Sequence, residues 1–464
     1  MGTRCTLEPY DEGTEVLNLI QVSLTPHRNY LRASPEGSTE TQKLFLLAQL
    51  TPQVTTRAAL GLSFVVDTSG SMREKVSGGK TKLELLIEAL RSVISSPDIS
   101  TEDQLSIVQF DDDSSTVTAP TNSKNVLLSG VEALRKHSGG TMMGLGMLEA
   151  LANVPKGNVN RKVMLLTDGA AFDEDACRAV TNTYVAQNIS VTAIGVGDEF
   201  NEDLMGEIAD RTGGRVIHVV AQNAKPPASV SASDLPSVLG EEFKRAASEV
   251  VTNLEFAVRG VKGVTLDRVT RVYPFLAESD LTPFQGGAKA KAGNLEAKDQ
   301  TAYLLELTLP PRPPARVRIA QIGLTFDVPG EGRRGEIPPI DVVVEFTFDE
   351  TATASVNPTV MGYVQQRNLE GLVKEAAAQA QSNPQAAAKT IEIARAMTVK
   401  LGNAAMTQVL DQAKAELETG KGISAGTAKT IKMGAKTQTI KVGGPQENTG
   451  GLPSDEEIRK LTGA

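Results

Sequence analysis

The chain has 464 residues, of which 40% are hydrophobic and 22% charged, and its formal net charge is -9. That length exceeds one ordinary core, so about two to four domains are expected. No apolar stretch approaches the roughly 20 residues of a membrane helix, and the acidic balance with no Trp and 4% aromatics argues against nucleic-acid binding.

In chain order, MGTRCTLEPYDEG lacks the apolar core of a signal peptide, and Cys5 and Cys177 are too few for a disulfide framework. A reducing, cytoplasmic setting without membrane insertion is therefore expected. Segments 15–24 and 43–50 have strand texture and are separated by a Pro/Gly/Ser turn around SPEGS, so residues 1–58 read as the N-terminal strands of a β-sandwich. From 59 to 249 the texture changes to strand, helix, strand, helix. ALGLSFVV, QLSIVQF, KVMLLT, SVTAIGV and GRVIHVV are apolar strand runs, with helical periods between them. That alternation predicts a mostly parallel sheet with helices on both faces.

Residues 250–350 return to period-two strands bounded by Pro and Gly, which predicts a β-sandwich. Strands on both sides suggest that the α/β block is inserted in, or followed by, that sandwich. A helical segment follows at 359–419, with Asn383-Pro384 opening one helix. Its apolar residues, among them Leu369, Leu372, Val373, Ile391, Met397, Val409 and Leu410, recur with the spacing of helix stripes, which predicts a small bundle. Residues 420–464 read as a flexible Thr/Lys-rich tail, closing on a short helix that Ser454 and Glu457 would cap.

The chemistry gathers at strand ends. Asp67, Ser69 and Ser71 lie in FVVDTSGSMRE, just past the first parallel strand, where open α/β folds place their ligand crevice. SGGTMMG puts Thr141 in a glycine loop before a helix, and LLTDGA puts Asp168 after another buried strand. Two carboxylates and three hydroxyls without His or Cys suit a hard divalent cation, Mg2+ first, with Mn2+ or Ca2+ as alternatives. Asp111, Asp112 and Asp113 read as an acidic rim loop, and His137 as a surface residue. No GxSxG elbow, Walker loop, HExxH or kinase motif set is present, so the chain is not expected to be an enzyme.

This D-x-S-x-S, GGT and TDG set resembles the metal-ion-dependent adhesion site of von Willebrand factor type A domains, here of a bacterial cytosolic kind. The resemblance implies that Ser69, Ser71 and Thr141 coordinate the metal while Asp67 and Asp168 hold coordinating waters. It also implies that one position stays open to a partner's Asp or Glu. The function so implied is an adaptor or scaffold working with a Ser/Thr kinase, phosphatase or forkhead-associated protein, or with a AAA+ ATPase. The alternatives are an extracellular adhesin and a metal-dependent phosphohydrolase. In integrin β-subunits a similar domain sits in a β-sandwich and its last helix shifts; here that helix spans about 234–249. In the tail, Thr427, Thr430, Thr437 and Thr439 alternate with lysines and are candidate phosphorylation sites for a phosphothreonine-reading partner.

Overall fold

The computed structural model describes residues 19–76, 79–220, 230–420 and 422–442. Three sheets organise it. The central one has seven strands, ordered from edge to edge as Val230–Ser231, Val216–Val220, Ser190–Val196, Asn160–Thr167, Leu60–Asp67, Gln104–Phe110 and Ser114–Thr121. All neighbours in it are parallel except the last pair, which is antiparallel. Sequence periodicity had no signal for that edge strand: Ser114–Thr121 is only partly buried and carries one apolar side chain of any size, Val117. Leu60–Asp67 is buried along its whole length because helices cover both faces of the sheet.

The chain leaves Leu60–Asp67 toward Gln104–Phe110 on one side and returns to Asn160–Thr167 on the other. The order therefore reverses between Leu60–Asp67 and Asn160–Thr167, and the switch point opens a crevice at their carboxyl ends. Asp67 closes one of these strands and Asp168 follows the other.

The remaining strands form two antiparallel-rich sheets packed through a shared core that includes Leu46, Phe256, Tyr303, Leu324 and Phe346. Strand Gln42–Pro52 pairs antiparallel with Ile20–Pro26 and Thr301–Leu309, and Tyr30–Arg32 joins Arg333–Thr347. Strands preceding the α/β block are thus hydrogen-bonded to strands that follow it. Helix Leu235–Ser248 passes directly into strand Glu249–Gly260. A buried cluster fastens this junction. Glu249 accepts hydrogen bonds from Asn160 Nδ2 at 3.0 Å and Asn294 Nδ2 at 2.7 Å, and it pairs with Lys162.

Helices Pro358–Gln379, Pro384–Leu401 and Ala404–Glu418 pack through Leu369, Val373, Ile391, Met397, Val409 and Leu410. Asn357, Asn383 and Asn403 cap them, each accepting from backbone N–H groups of the first turn.

The expected flexible tail is corrected over its first part. Residues Ala425–Thr437 are a helix capped by Ser424, and Ile431 and Ala435 enter the core of the helical bundle. Its Gly, Thr and Lys content is a poor helix signal, and tertiary contacts override it. Lys429 and Lys432 pair with Glu202 at 3.0 Å, Lys429 lies over the Phe200 ring, and Lys436 pairs with Asp210. The segment proposed from Ser454 to Glu457 lies outside the described residues. No helix among the described residues is long and apolar enough to cross a membrane.

Candidate metal centre

Four loops at this edge of the sheet are laced by backbone hydrogen bonds. Gly70 N donates to Gly139 O at 2.9 Å, Phe172 N donates to Thr141 O at 3.0 Å, and Met142 N donates to Asp111 O at 2.8 Å. Asp112 lies under the glycine pair, accepting from Gly140 N at 2.9 Å. A Cβ on Gly140 would stand 2.6 Å from Asp112 Oδ1 and 3.1 Å from the Phe172 ring, so only glycine allows this approach. Asp173 accepts from Gly144 N at 3.0 Å and Leu145 N at 3.1 Å, capping from outside the helix that Thr141 precedes.

Within this frame the five candidate residues converge. Asp67 is fully buried; its Oδ1 accepts from Ser69 N at 2.8 Å and its Oδ2 from Thr167 Oγ1 at 2.6 Å. Burial pushes its carboxyl up to about 6 against those hydrogen bonds, because nothing cationic touches it. Ser69 Oγ and Ser71 Oγ lie 3.1 Å apart, and Ser71 Oγ donates to Asp168 Oδ1 at 2.8 Å. The position a Cβ would take on Gly169 is 3.4 Å from Thr141 Oγ1 and 4.0 Å from Ser71 Oγ, so both hydroxyls border one small volume. Ser69, Thr141, Asp67 and Asp168 are all nearly or wholly buried.

This donor set fits a hard divalent cation: three neutral hydroxyls beside two carboxylates, one of them buried without a counter-charge. Ser69, Ser71 and Thr141 are the residues that would hold it, with Asp67 and Asp168 supplying charge. Among the described residues no group of three or more His, Cys, Asp and Glu is arranged to hold a metal, so the candidate centre depends on its Ser and Thr oxygens. The acidic run at 111–113 is thus a rim loop whose work is to position Gly140 and Met142. His137 contributes its backbone carbonyl, which accepts from Arg73 at 2.7 Å.

Two residues at the site were not anticipated. Lys82 Nζ donates to Asp168 Oδ2 at 2.7 Å and to Glu74 Oε2 at 2.8 Å, with its side chain 8% exposed. Burial pushes Lys82 down, but the bonds to Asp168 and Glu74 outweigh it and the net shift is upward, so it is an ammonium. Phe172 stands 75% exposed against Gly140, an apolar side chain on the rim of the crevice.

The candidate phosphorylation sites lie elsewhere. Thr427 and Thr430 are buried in the C-terminal helix; Thr427 Oγ1 donates to Glu416 Oε1 at 2.6 Å, and Thr430 Oγ1 donates to Gly426 O at 2.8 Å. Thr437 Oγ1 donates to Met433 O at 3.0 Å, and Thr439 Oγ1 is enclosed without a hydrogen-bond partner. The expectation of exposed threonines in an unfolded strip is corrected accordingly.

Residues 62–226 match the sequence model of the von Willebrand factor type A domain, and residues 358–441 that of the Sll0103-like, C-terminal alpha-helical domain. The uncharacterized protein sll0103 of Synechocystis sp. is 24% identical over 404 residues, covering 84% of this chain and 91% of that protein. Among solved structures, a von Willebrand factor type A protein from Catenulispora acidiphila superposes with a TM-score of 0.75 at 17% identity, covering 90% of this chain and 97% of that one. The ArnB paralog VWA2 from Sulfolobus acidocaldarius gives 0.60 at 15% identity, covering 92% and 100%. At these identities the likeness is one of fold, and it extends beyond the α/β block to most of the chain. Residues 62–226, which build most of the largely parallel sheet and the crevice at its edge, thus carry a von Willebrand factor type A domain.

Proposed function

We propose that this protein is a cytoplasmic adaptor that binds a partner's Asp or Glu through a divalent cation, Mg2+ first, held by Ser69, Ser71 and Thr141 with Asp67 and Asp168. The observation that carries this reading is the convergence of those five oxygen-bearing side chains at the switch point, with Ser71 Oγ 2.8 Å from Asp168 Oδ1 and both carboxylates buried. Once bound, the cation supplies a Lewis-acid centre that neutral hydroxyl donors leave electron-poor, which favours an added carboxylate. Phe172 offers an apolar contact beside it.

Catalysis by the chain alone is not part of this reading. The described site holds no His, and its carboxylates are committed to Ser69, Thr167, Ser71 and Lys82. Neither Asp67 nor Asp168 is therefore free to act as a general base toward water. The setting we favour is a bacterial one in which a AAA+ ATPase, or a Ser/Thr kinase and phosphatase, presents the acidic side chain. The burial of Thr427 and Thr430 removes the motive for a forkhead-associated reader of those residues.

The test is calorimetric titration with Mg2+, Mn2+ and Ca2+, followed by binding of Asp- and Glu-bearing peptides in the presence of the cation or of a chelator. Cation-dependent peptide binding that disappears in Ser69→Ala/Thr141→Ala supports the adaptor reading. Peptide binding indifferent to cation, or metal-dependent phosphoester hydrolysis lost in Asp67→Ala, would overturn it.

A further inference from the structure

We infer that Lys82 is a built-in counter-cation of the metal centre, which weakens its hold on a bare divalent cation and makes cation binding depend on the partner's carboxylate. This rests on the metal-bridging reading above and adds to it the reason why cation and partner would bind together.

The placement of Lys82 is built into the local fold. It opens helix Lys82–Ser95, and Thr81 caps that helix in a reciprocal pair with Glu84. The preceding loop folds back on itself: Lys82 N donates to Glu74 O at 3.1 Å, Val76 N donates to Lys80 O at 2.9 Å, and Lys75 bridges Thr81. A lysine in the first helical turn opposes the helix dipole. Here that unfavourable position aims the ammonium at Asp168, whose side chain is fully buried. Asp168 in turn accepts from Ser71, one of the candidate metal ligands. Lys82 is therefore one carboxylate away from the cation's own donors, in a region where charges are poorly screened.

The charge balance sets the consequence. Asp67 and Asp168 contribute two buried negative charges and Lys82 one buried positive charge, whereas the Glu74 side chain is 60% exposed and screened by solvent. A dication entering this set leaves one excess positive charge, and a partner carboxylate then neutralises it. In the absence of the Lys82 charge, the dication alone would neutralise the set and the added carboxylate would leave an excess negative charge. Lys82 thus shifts binding free energy from the cation step to the carboxylate step. By linkage, cation and carboxylate then raise each other's affinity by the same factor.

The experiment titrates the full chain with Mn2+ at pH 8 by calorimetry, with and without excess acetate as the carboxylate probe. It compares the native protein with Lys82→Met and Lys82→Arg. Lys82→Met should bind Mn2+ about tenfold tighter or more, ~1.4 kcal/mol, and lose most of the tightening that acetate gives the native chain. Lys82→Arg keeps the charge and should stay near native in both readouts. A structural ion pair alone would lower the melting temperature of Lys82→Met without tightening Mn2+ binding. Should Lys82→Met not fold, Lys82→Gln serves instead, since its amide can still donate to Asp168 but carries no charge; it should tighten Mn2+ binding and lose the acetate effect in the same way. Mn2+ affinity in the uncharged Lys82 variant equal to or weaker than native overturns the inference, as does an unchanged acetate effect in that variant. Absence of Mn2+ binding in every protein, native included, overturns the metal reading itself, and is distinguishable from equal binding in all of them.

Discussion

Asp67 accepts hydrogen bonds at both oxygens and is wholly buried, yet the charge that acts on it, Asp168, is of the same sign. Replacing it by Ala removes two hydrogen bonds, and with them a charge that burial has made unfavourable. These effects oppose each other, so Asp67→Ala without cation should melt within about 4 °C of the native chain. With cation present the two proteins should separate. A ligand at about 100-fold over its dissociation constant stabilises the native state by ~2.7 kcal/mol, and Asp67→Ala should gain none of this. Scanning calorimetry with and without Mn2+ checks it, and an equal Mn2+-dependent rise in both proteins would take Asp67 out of the site. Of the five candidate oxygen donors, Asp67, Ser69, Ser71 and Asp168 were legible in the sequence because they lie within a few residues of a buried strand's end, and Thr141 because it follows a glycine pair just ahead of helix Met143–Asn153. Lys82 was not legible, because a lysine beside a capping Thr reads as a solvated helix start. Only the fold, which places it 86 residues away from its partner Asp168 in sequence and 2.7 Å away in space, reveals it.

Among the elements, helix Ala425–Thr437 departs most from its sequence signal. Its composition promised a flexible strip, and what orders it is a row of lysines, Lys429, Lys432 and Lys436, facing acidic residues of helix Glu202–Thr212. Such a pairing has no local signature, because Glu202 and Lys432 are 230 residues apart. The strand and helix runs with clean periods, by contrast, were legible in place. Burial pushes the Glu202 carboxyl up, but its own backbone N–H and the ammonium groups of Lys429 and Lys432 outweigh this and hold it at about 2, against an ordinary 4.5. A carboxylate whose value is depressed by folding contributes stability that is fully present above the ordinary value and is lost as pH falls through the folded one. Docking of the C-terminal helix should therefore lose this contribution progressively between pH 4.5 and about 2. Asp210 moves the other way, pushed up to about 6 by burial despite Lys436, so the readout must be a difference between proteins. Hydrogen exchange of residues 425–437 should show a stabilisation in the native chain relative to Glu202→Gln that is constant from pH 7 to about 5 and shrinks below it. A difference independent of pH down to the acid limit would mean that the Glu202 charge does not anchor the helix.

At the scale of the whole molecule, the question is whether cation binding at the crevice is transmitted to the β-sandwich. The route exists, because helix Leu235–Ser248 runs into strand Glu249–Gly260 without a loop. The junction is heavily fastened, however. Asn160 Nδ2 donates to Ala246 O at 2.7 Å and to Glu249 at 3.0 Å, Glu242 pairs with Arg215, and Arg245 pairs with Glu296 at 3.1 Å. Moving the helix along its axis would break the bonds to Asn160 and separate ions that are mostly buried. Breaking one such pair costs about 3 kcal/mol or more, which exceeds the 1–3 kcal/mol typical of coupling between sites. The helix should accordingly stay in place when the cation binds. Hydrogen exchange with saturating Mn2+ should slow residues 68–73, 139–142 and 168–172, whose loops are laced around the site, and leave 235–260 unchanged. Glu249→Gln, which removes the charge that holds Lys162 and weakens the fastening, should be the variant in which 235–260 begins to respond to Mn2+. A change over 235–260 in the native chain would show that the junction yields, and that the sandwich senses the occupied metal site.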